Sequence, residues 1–397
     1  MKSFLGFAKK KNSSFYLLHI FFFEIARTLP HAILAIFLIN KFQTDGSIVL
    51  GLQIIFYIGI FLFEIPSGFL SDIFSRKKIF LVSIFLMLIA FPLIGFSDFL
   101  WLVFVGQLIY GISDALSSGT IDISILEKYD DAQKVKDFLS KKRMVFFAAA
   151  IIGGGIGPLL FQSISNFLYL ISTIIFFISF IIGLLVIVDE KRMEKSTFKT
   201  FSKELKKNIK LNFSYFKQKN YCLLFISILA PIFIFGPFFN YWPIFYKDNG
   251  LDSKFFGIVY IVFQSIGLVC SYVNKKMPVK KIFVILSAII SSLIFVITLF
   301  FLKGNAFIYI LPLFLFFSNY YNFELNNIFY KQLKKETSSS QVSILSTIAS
   351  LFSFIIYIIL FIFSTQINIY IASIAGAFLF LIVGLITSIF AKFDWKN

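Results

Sequence analysis

The chain has 397 residues, of which 58% are hydrophobic and only 14% are charged, and its mean hydropathy is +0.88. Because soluble globular domains carry about 25% charged residues, this composition excludes a soluble protein and predicts that most of the chain lies in lipid. The formal net charge of +17 would suit a nucleic-acid-binding protein, so the placement of the basic residues decides what the charge means.

Twelve apolar stretches follow one another along the chain, and each is long enough to cross the ~30 Å hydrocarbon core of a bilayer as a helix. They lie at about 14–40, 46–70, 78–97, 100–122, 143–164, 167–188, 221–246, 253–273, 281–302, 305–330, 340–363 and 367–391. The first is too long for the apolar region of a signal peptide and lacks a small-residue cleavage site, so we expect no cleaved leader. The predicted fold class is an all-α polytopic membrane protein with twelve transmembrane helices.

The basic residues are distributed very unevenly between the two sides of this arrangement. With the N-terminus in the cytoplasm, nearly all of the 37 Lys and Arg residues fall in cytoplasmic segments. The exceptions are Lys41, Lys247, Lys254 and Lys303 at the outer side and Arg27 inside the first span. This positive-inside asymmetry predicts a multi-pass protein of the cell (plasma or inner) membrane with both termini cytoplasmic. The basicity reflects topology, and we expect no nucleic-acid partner.

A polar, basic segment at 189–220 divides the twelve spans into two sets of six. It predicts an N-terminal six-helix half at 1–188, a cytoplasmic linker at 189–220 and a C-terminal six-helix half at 221–397. Within the linker, apolar residues recur at spacings of three and four with lysines between them, which predicts an amphipathic helix on the membrane surface in contact with lipid headgroups. A helix that binds a protein partner is the alternative.

The connection between the second and third spans carries the most specific pattern, Glu64-Ile-Pro-Ser-Gly-Phe-Leu-Ser-Asp-Ile-Phe-Ser-Arg-Lys-Lys78. Gly68 permits a close turn or helix contact, and Asp72 is expected to cap the helix that follows. The run Gly-x-Leu-Ser-Asp-x-x-x-Arg-Lys closely resembles the loop between helices 2 and 3 of the major facilitator superfamily of secondary transporters. The preceding Glu-Ile-Pro-Ser resembles its bacterial efflux-like members. The resemblance implies two six-helix halves and a gate formed by Gly68, Asp72, Arg76 and Lys77 that holds the cytoplasmic side closed.

Two further stretches resemble the same family in part. The fourth span contains Tyr110-Gly-Ile-Ser-Asp-Ala-Leu-Ser-Ser-Gly-Thr-Ile-Asp122, which is similar to the corresponding helix of efflux-like members. In the fifth span, Gly153, Gly157 and Pro158 resemble the core of a glycine-rich motif associated with antiporters. Physically, glycines ending in proline make a thin, bendable helix against which another can rock, and a generic close-packing face is the alternative.

Ionisable residues inside the spans are candidates for function because they are costly in lipid. Glu24 and Arg27 are three residues apart in the first span and share a helix face, which His31 continues; Asp114 lies in the fourth span and Glu324 in the tenth. We hypothesise that one of these acids exchanges a proton with a central cavity and that Arg27, paired with Glu24 or Asp114, stabilises its ionised form. A static ion pair that fixes helix packing is the alternative.

Glu64 in the second span and Asp122 in the fourth are candidates on the same ground. Side chains that simply reach the cytoplasmic headgroups, where charge is tolerated, are the alternative. Pro231, Pro237 and Pro243 predict kinks or breaks in the seventh span.

The residue inventory contains no metal-ligand cluster and no phosphate-binding loop, so we expect no metal and no cofactor. The two cysteines, Cys222 and Cys270, are expected to be reduced packing residues. The function predicted is export of a small, amphipathic, drug-like compound by proton antiport and alternating access, by a protein that is not an enzyme and acts as a monomer. Proton-coupled import of a nutrient is the alternative, and a polytopic membrane enzyme or a non-transporting sensor is a remote one.

Overall fold

The structure of the chain is a computed structural model that describes residues 2–43, 47–73, 75–118, 120–126, 129, 131–186, 218–252, 255–277, 280–333, 338–363 and 369–390. Every regular secondary-structure element in these ranges is a helix. The predicted linker at 189–220, except for its last three residues, lies outside the described residues, and so does its amphipathic helix.

The helices follow the order of the predicted spans. They are α1 (Lys2–Thr28), a 3-10 turn (His31–Ile33), α2 (Leu34–Phe42), α3 (Ser47–Ile73), α4 (Arg76–Phe96), α5 (Leu100–Ser117), α6 (Ile121–Leu126), α7 (Ala132–Ile164), α8 (Phe167–Leu185), α9 (Lys219–Leu229), α10 (Ile232–Asp248), α11 (Phe256–Lys276), α12 (Lys281–Phe301), α13 (Gly304–Ile310), α14 (Leu313–Gln332), α15 (Ser338–Phe363) and α16 (Ile369–Phe390).

Among the described residues, nine helical stretches are long and apolar enough to cross a membrane, and two shorter apolar stretches lie within α15 and α16. Together with α1 and α2 they account for the twelve predicted spans. The prediction of an all-α polytopic membrane protein is therefore confirmed.

Four spans are interrupted by a short break, and three of the breaks fall at a proline. Pro30 separates α1 from the 3-10 turn, Pro231 separates α9 from α10, and Pro312 separates α13 from α14. Proline has no amide hydrogen and its ring clashes with the preceding turn, so a helix cannot run through it undisturbed. The break in the seventh span was expected from its prolines, although its other two prolines remain inside α10. The fourth break lies after α5, where Ser118 is extended.

The fifth span is longer than predicted, because α7 begins at Ala132 and not at about residue 143. The Asp131 carboxylate accepts a hydrogen bond from the backbone N–H of Gln133 at 2.9 Å, which is the geometry of a helix N-cap. The polar residues that looked like a cytoplasmic loop thus form the first three turns of the helix.

The chain forms two compact units. The first comprises 1–130, 152–213 and 333–354, and within it α5 packs between α3 and α4 while α8 packs on α1 and α4. The second comprises 131–151, 214–332 and 355–397, and within it α12 packs on α14 and α16. Each unit therefore takes one helical stretch from outside the half that the sequence predicts for it, namely part of α7 and part of α15.

Candidate functional site

The first unit brings together three of the ionisable residues that the sequence singles out. Arg27 Nη2 lies 2.8 Å from Glu24 Oε2 one turn earlier on α1, and Arg27 Nε donates to the same oxygen at 2.9 Å. Arg27 Nη1 lies 4.0 Å from Asp114 Oδ1 on α5. Both pairings that the sequence left open are present, so one guanidinium serves two carboxylates.

The two carboxylates differ in their surroundings. The Glu24 side chain is 9% exposed and is held by two guanidinium nitrogens, whereas the Asp114 side chain is 35% exposed and meets the guanidinium only at the edge of ion-pair distance. Arg27 is therefore bound firmly to one acid and loosely to the other, and the loosely bound acid is the more accessible to a proton.

A cavity adjoins this charge cluster. Its volume is about 20 Å³, room for one or two water molecules. It is lined by Arg27, Pro30, His31, Leu34, Phe91, Ile94, Gln107, Tyr110 and Tyr169. The break at Pro30 contributes to the cavity wall, and His31 lines the cavity from the 3-10 turn that follows the break. The cavity thus combines a cation and hydrogen-bonding groups with aromatic and aliphatic surface.

The glycine-rich stretch of α7 packs against the part of α1 that carries this cluster. A Cβ atom on Gly153 would meet the Ile25 carbonyl oxygen at 2.7 Å, and one on Gly157 would overlap the carbonyl oxygen of Leu29. Both positions admit only glycine at this helix separation. Pro158 follows within α7 and withdraws one backbone donor there.

The predicted gate residues occupy the end of α3 and the start of α4. Gly68 is buried and lies inside α3, so it does not form a turn. Asp72 belongs to the last turn of α3, and its side chain is outside the described part of the structure. The prediction that Asp72 caps the next helix is wrong. Ser75 is the N-cap of α4, and its side chain accepts from the Lys78 N–H at 3.2 Å.

The basic residues of the same motif begin α4. Arg76 is the first residue of that helix, and the Lys77 amine donates to the carbonyl oxygen of Leu184 at 2.8 Å, in the last turn of α8. A cation at a helix C-terminus is favourable because the last carbonyls of the helix lack internal donors. Lys77 thereby links two helices of the first unit.

Glu324 belongs to a second polar cluster, in the second unit. Its side chain is completely buried, and Glu324 Oε1 lies 3.5 Å from the amine of Lys136, which also donates to the carbonyl oxygen of Met277 at 2.7 Å. Glu324 Oε2 has no hydrogen-bond partner among the described residues. Of the two carboxyl oxygens of this candidate acid, one is therefore paired with a lysine near the start of α7 and the other has no partner among the described residues.

Arg143, two turns further along α7, completes the cluster. Its Nη2 donates at 3.1 Å to the side-chain oxygens of both Asn274 and Asn327, and its guanidinium lies 4.3 Å from the ring centroid of Phe323. Sequence reasoning missed Lys136, Arg143 and the two asparagines. The available signal was the seven-residue spacing of the two cations, which places them on one face of a helix. The positive-inside pattern had already assigned both to a cytoplasmic loop.

Asp122 and Glu64, the remaining acids of the spans, have different surroundings. Asp122 Oδ1 accepts a hydrogen bond from the hydroxyl of Tyr16 at 2.9 Å. Glu64 is 1% exposed, which excludes the alternative that its side chain simply reaches the headgroups. Both cysteines are free, as expected, and Cys270 is buried. The described residues hold no group of three or more metal-ligating side chains.

Helical spans that are interrupted at prolines, with charged residues on the wall of a cavity inside one compact unit, are typical of secondary transporters of the membrane. Comparison with known proteins identifies the family. The family model of the Major Facilitator Superfamily matches residues 16–317, and the chain belongs to that superfamily. It is a multi-pass membrane protein with twelve transmembrane spans in two six-helix halves.

One sequence relative and two solved structures illustrate the likeness. The chain is 24% identical over 245 residues to a tetracycline resistance protein, class H, of Pasteurella multocida, and the match covers 58% of this chain and 59% of that relative. The fold is similar to the human organic anion transporter MFSD10 (TM-score 0.72, 12% identity, 96% of this chain and 99% of that chain). It is also similar to the E. coli fucose:proton symporter (TM-score 0.70, 16% identity, 96% and 98%).

Proposed function

We propose that the protein exports a small amphipathic compound in exchange for protons, by alternating access between its two six-helix halves. The observation that carries the proposal is the single guanidinium of Arg27 shared between Glu24 and Asp114 beside a cavity. Two acids compete for one cation, so one of them can be ionised and paired while the other binds a proton.

In this proposal the two acids have different roles, and their different surroundings support the division. Glu24 is bound through two nitrogens and stays ionised, which holds Arg27 in place. Asp114, at 4.0 Å and more exposed, takes up and releases the proton. When Asp114 is protonated, Arg27 keeps one partner and the cluster is neutral. When Asp114 is ionised, the cluster carries one negative charge, which favours a cationic or polar group of the substrate in the cavity.

Two features support export over import. The sequence relative is a tetracycline resistance protein, and the glycine-rich stretch of α7 that resembles an antiporter motif packs directly on the segment of α1 that carries Arg27. Import by proton symport is the second candidate. It is favoured by the incomplete state of that motif, in which Phe161 and Gln162 stand where paired glycines are expected.

The remaining expectations belong to the same proposal. The protein lies in the cell membrane with both termini cytoplasmic, acts as a monomer, and divides at the linker 189–220 into halves at 1–188 and 221–397. Gly68, Asp72, Arg76 and Lys77 form the cytoplasmic gate, and Glu324 is a further candidate for proton coupling. The packing of Gly68 inside α3 and the bond from Lys77 to α8 support a rigid gate region.

The proposal is tested by measuring proton movement in acid-loaded proteoliposomes that contain the purified protein, with a panel of tetracyclines, lipophilic cations and sugars. We expect added substrate to drive protons out of the vesicles. Asp114→Asn should abolish that efflux, whereas Asp122→Asn, which alters an acid of the same region bound to a tyrosine, should retain it. Proton entry together with a solute would replace export by import, and efflux unchanged in Asp114→Asn would refute the assignment of the proton to Asp114.

A further inference from the structure

Among the described acids of the first unit, Glu64 is the most completely buried, although it lies beside lipid-facing residues. Phe61, Leu62 and Phe63, which precede it on α3, are exposed large apolar side chains, whereas Glu64 is 1% exposed. One of its carboxyl oxygens, Oε1, has no hydrogen-bond partner in the described part of the structure. The carboxyl group therefore points away from the exposed apolar surface into a packed interior.

The groups that face Glu64 are neutral or negative. The hydroxyls of Ser118, in the break after α5, and Ser346, on α15, interact with its carboxyl group, and the charge that it senses is the carboxylate of Asp114. Ser67, one turn further along α3, bridges the Glu64 carbonyl oxygen (2.8 Å) and the Ala115 carbonyl oxygen (2.9 Å), which fixes α3 against α5 at this level.

The basic groups on the helices packed against α3 are engaged elsewhere or lie far along the axis. Lys41, at the end of α2, donates to the Gly95 carbonyl oxygen at 3.2 Å, and Lys77 donates to α8. Arg76 and Lys78 stand in the first turn of α4, beyond the end of α3, which lies about 14 Å along the helix axis from Glu64.

An ionised carboxylate in these surroundings would be desolvated, and no cation among the described side chains compensates for that loss. Burial of an unpaired charge is among the most expensive arrangements in a protein, and a buried carboxyl group avoids that cost by holding its proton. The two serine hydroxyls can donate to an ionised carboxylate, but they carry no charge and do not make up for the water that burial removes.

We infer that Glu64 is a second proton-binding site of the transporter, loaded with its proton in the conformation described, and coupled to Asp114 through the break after α5. The inference rests on the proposed proton coupling and adds a second residue that binds a proton. In the release step the O–H bond of Glu64 breaks and a new O–H bond forms on a water molecule or on the ionised carboxylate of Asp114. Because two neighbouring carboxylates resist simultaneous ionisation, loading of one site favours unloading of the other.

Infrared spectroscopy of the purified protein tests this site directly. At pH 7 we expect a C=O stretching band of a protonated carboxylic acid that disappears in Glu64→Gln, shifts in Glu64→Asp, and is unchanged in Asp122→Asn. Glutamine has the shape of the neutral acid, so Glu64→Gln should also keep the size-exclusion profile and melting temperature of the wild type. A band that is identical in wild type, Glu64→Gln and Glu64→Asp overturns the inference, and Glu64→Asp decides it if the glutamine variant does not fold.

A transport assay separates this inference from the proposed function. Glu64→Gln should lower transport driven by a pH gradient at least tenfold while substrate counterflow, which needs no net proton transfer, stays near the wild-type rate. If the wild type itself shows no response to a pH gradient, the proposed function fails. If the wild type responds and Glu64→Gln responds equally, the function stands and the second proton site is refuted.

Discussion

The cluster around Glu324 makes a quantitative prediction about stability, because it contains two cations and one anion in a buried place. Lys136 and Glu324 are 7% and 0% exposed, and their charged atoms are 3.5 Å apart. At an effective dielectric constant of 20, Coulomb's law gives an attraction of about 5 kcal/mol for such a pair. Arg143 is the second cation, close enough to Glu324 to interact with it.

The excess of cations makes the two single substitutions unequal. Glu324→Gln leaves two buried cations without an anion, and we expect it to cost ~3–5 kcal/mol of unfolding free energy. Lys136→Met leaves Glu324 with Arg143, so the cluster becomes neutral, and the loss is ~1–2 kcal/mol for the hydrogen bond to the Met277 carbonyl. The double variant Lys136→Met/Glu324→Gln should therefore be more stable than the sum of the two losses implies.

The assay is thermal and denaturant unfolding of the four proteins in one detergent, read as a double-mutant cycle. We expect Glu324→Gln to lower the free energy of unfolding more than Lys136→Met does. The coupling free energy between the two positions should be about 2 kcal/mol. Lys276→Met, at an exposed position near the end of α11, serves as the control for loss of a lysine and should change stability by less than about 0.5 kcal/mol. Equal costs for the two single variants, or additivity within ~0.5 kcal/mol, would refute the charge reasoning.

Three other substitutions test the gate, the helix contact and the charge cluster. Asp72→Asn should abolish or greatly impair transport at wild-type expression and membrane insertion, and wild-type rates would refute the gate. Gly157→Ala should lower the free energy of unfolding by ~1–3 kcal/mol, because the added methyl group would overlap the Leu29 carbonyl oxygen. Gly51→Ala is the matched control: its methyl group meets a phenylalanine ring at 3.5 Å, and the substitution should be neutral or stabilising in the same unfolding assay. Arg27→Lys should lower proton-driven transport about tenfold, because an ammonium cannot hold two carboxylates in the fork geometry of a guanidinium; an unchanged rate would contradict the shared-cation arrangement.

Hydropathy and charge placement were sufficient to predict the twelve spans, because crossing a bilayer imposes a length and a polarity on each helix. The same reasoning missed the breaks at Pro30 and Pro312, although it foresaw the one at Pro231. A lone proline inside an apolar run is compatible with either a kink or a break, and the surrounding packing decides between them. The early start of α7 was missed because its first turns are basic and apolar content was the criterion.

The site was predicted in part for a related reason. Glu24 and Arg27 were found because their pairing is local to one helix, and Asp114 because its depth in the fourth span matches theirs. The burial of Glu64 was not predicted, because a position near a span end is compatible with exposure and burial depends on which helices pack around it. The cluster of Lys136 and Arg143 joins residues more than 130 positions apart along the chain, a proximity that a single sequence does not encode.

The ion pair of α1 has a consequence for the synthesis of the protein. Glu24 and Arg27 are three residues apart on the same helix, so their 2.8 Å contact needs no other segment and can form as soon as that helix does. A charge at the centre of an inserting helix costs ~2.5–3.5 kcal/mol on insertion scales, and local pairing removes much of this cost before any later helix has been made. The first segment thus enters the bilayer with its charges already balanced, and Asp114, which emerges from the ribosome nearly ninety residues later, meets a cation that is already oriented to receive it.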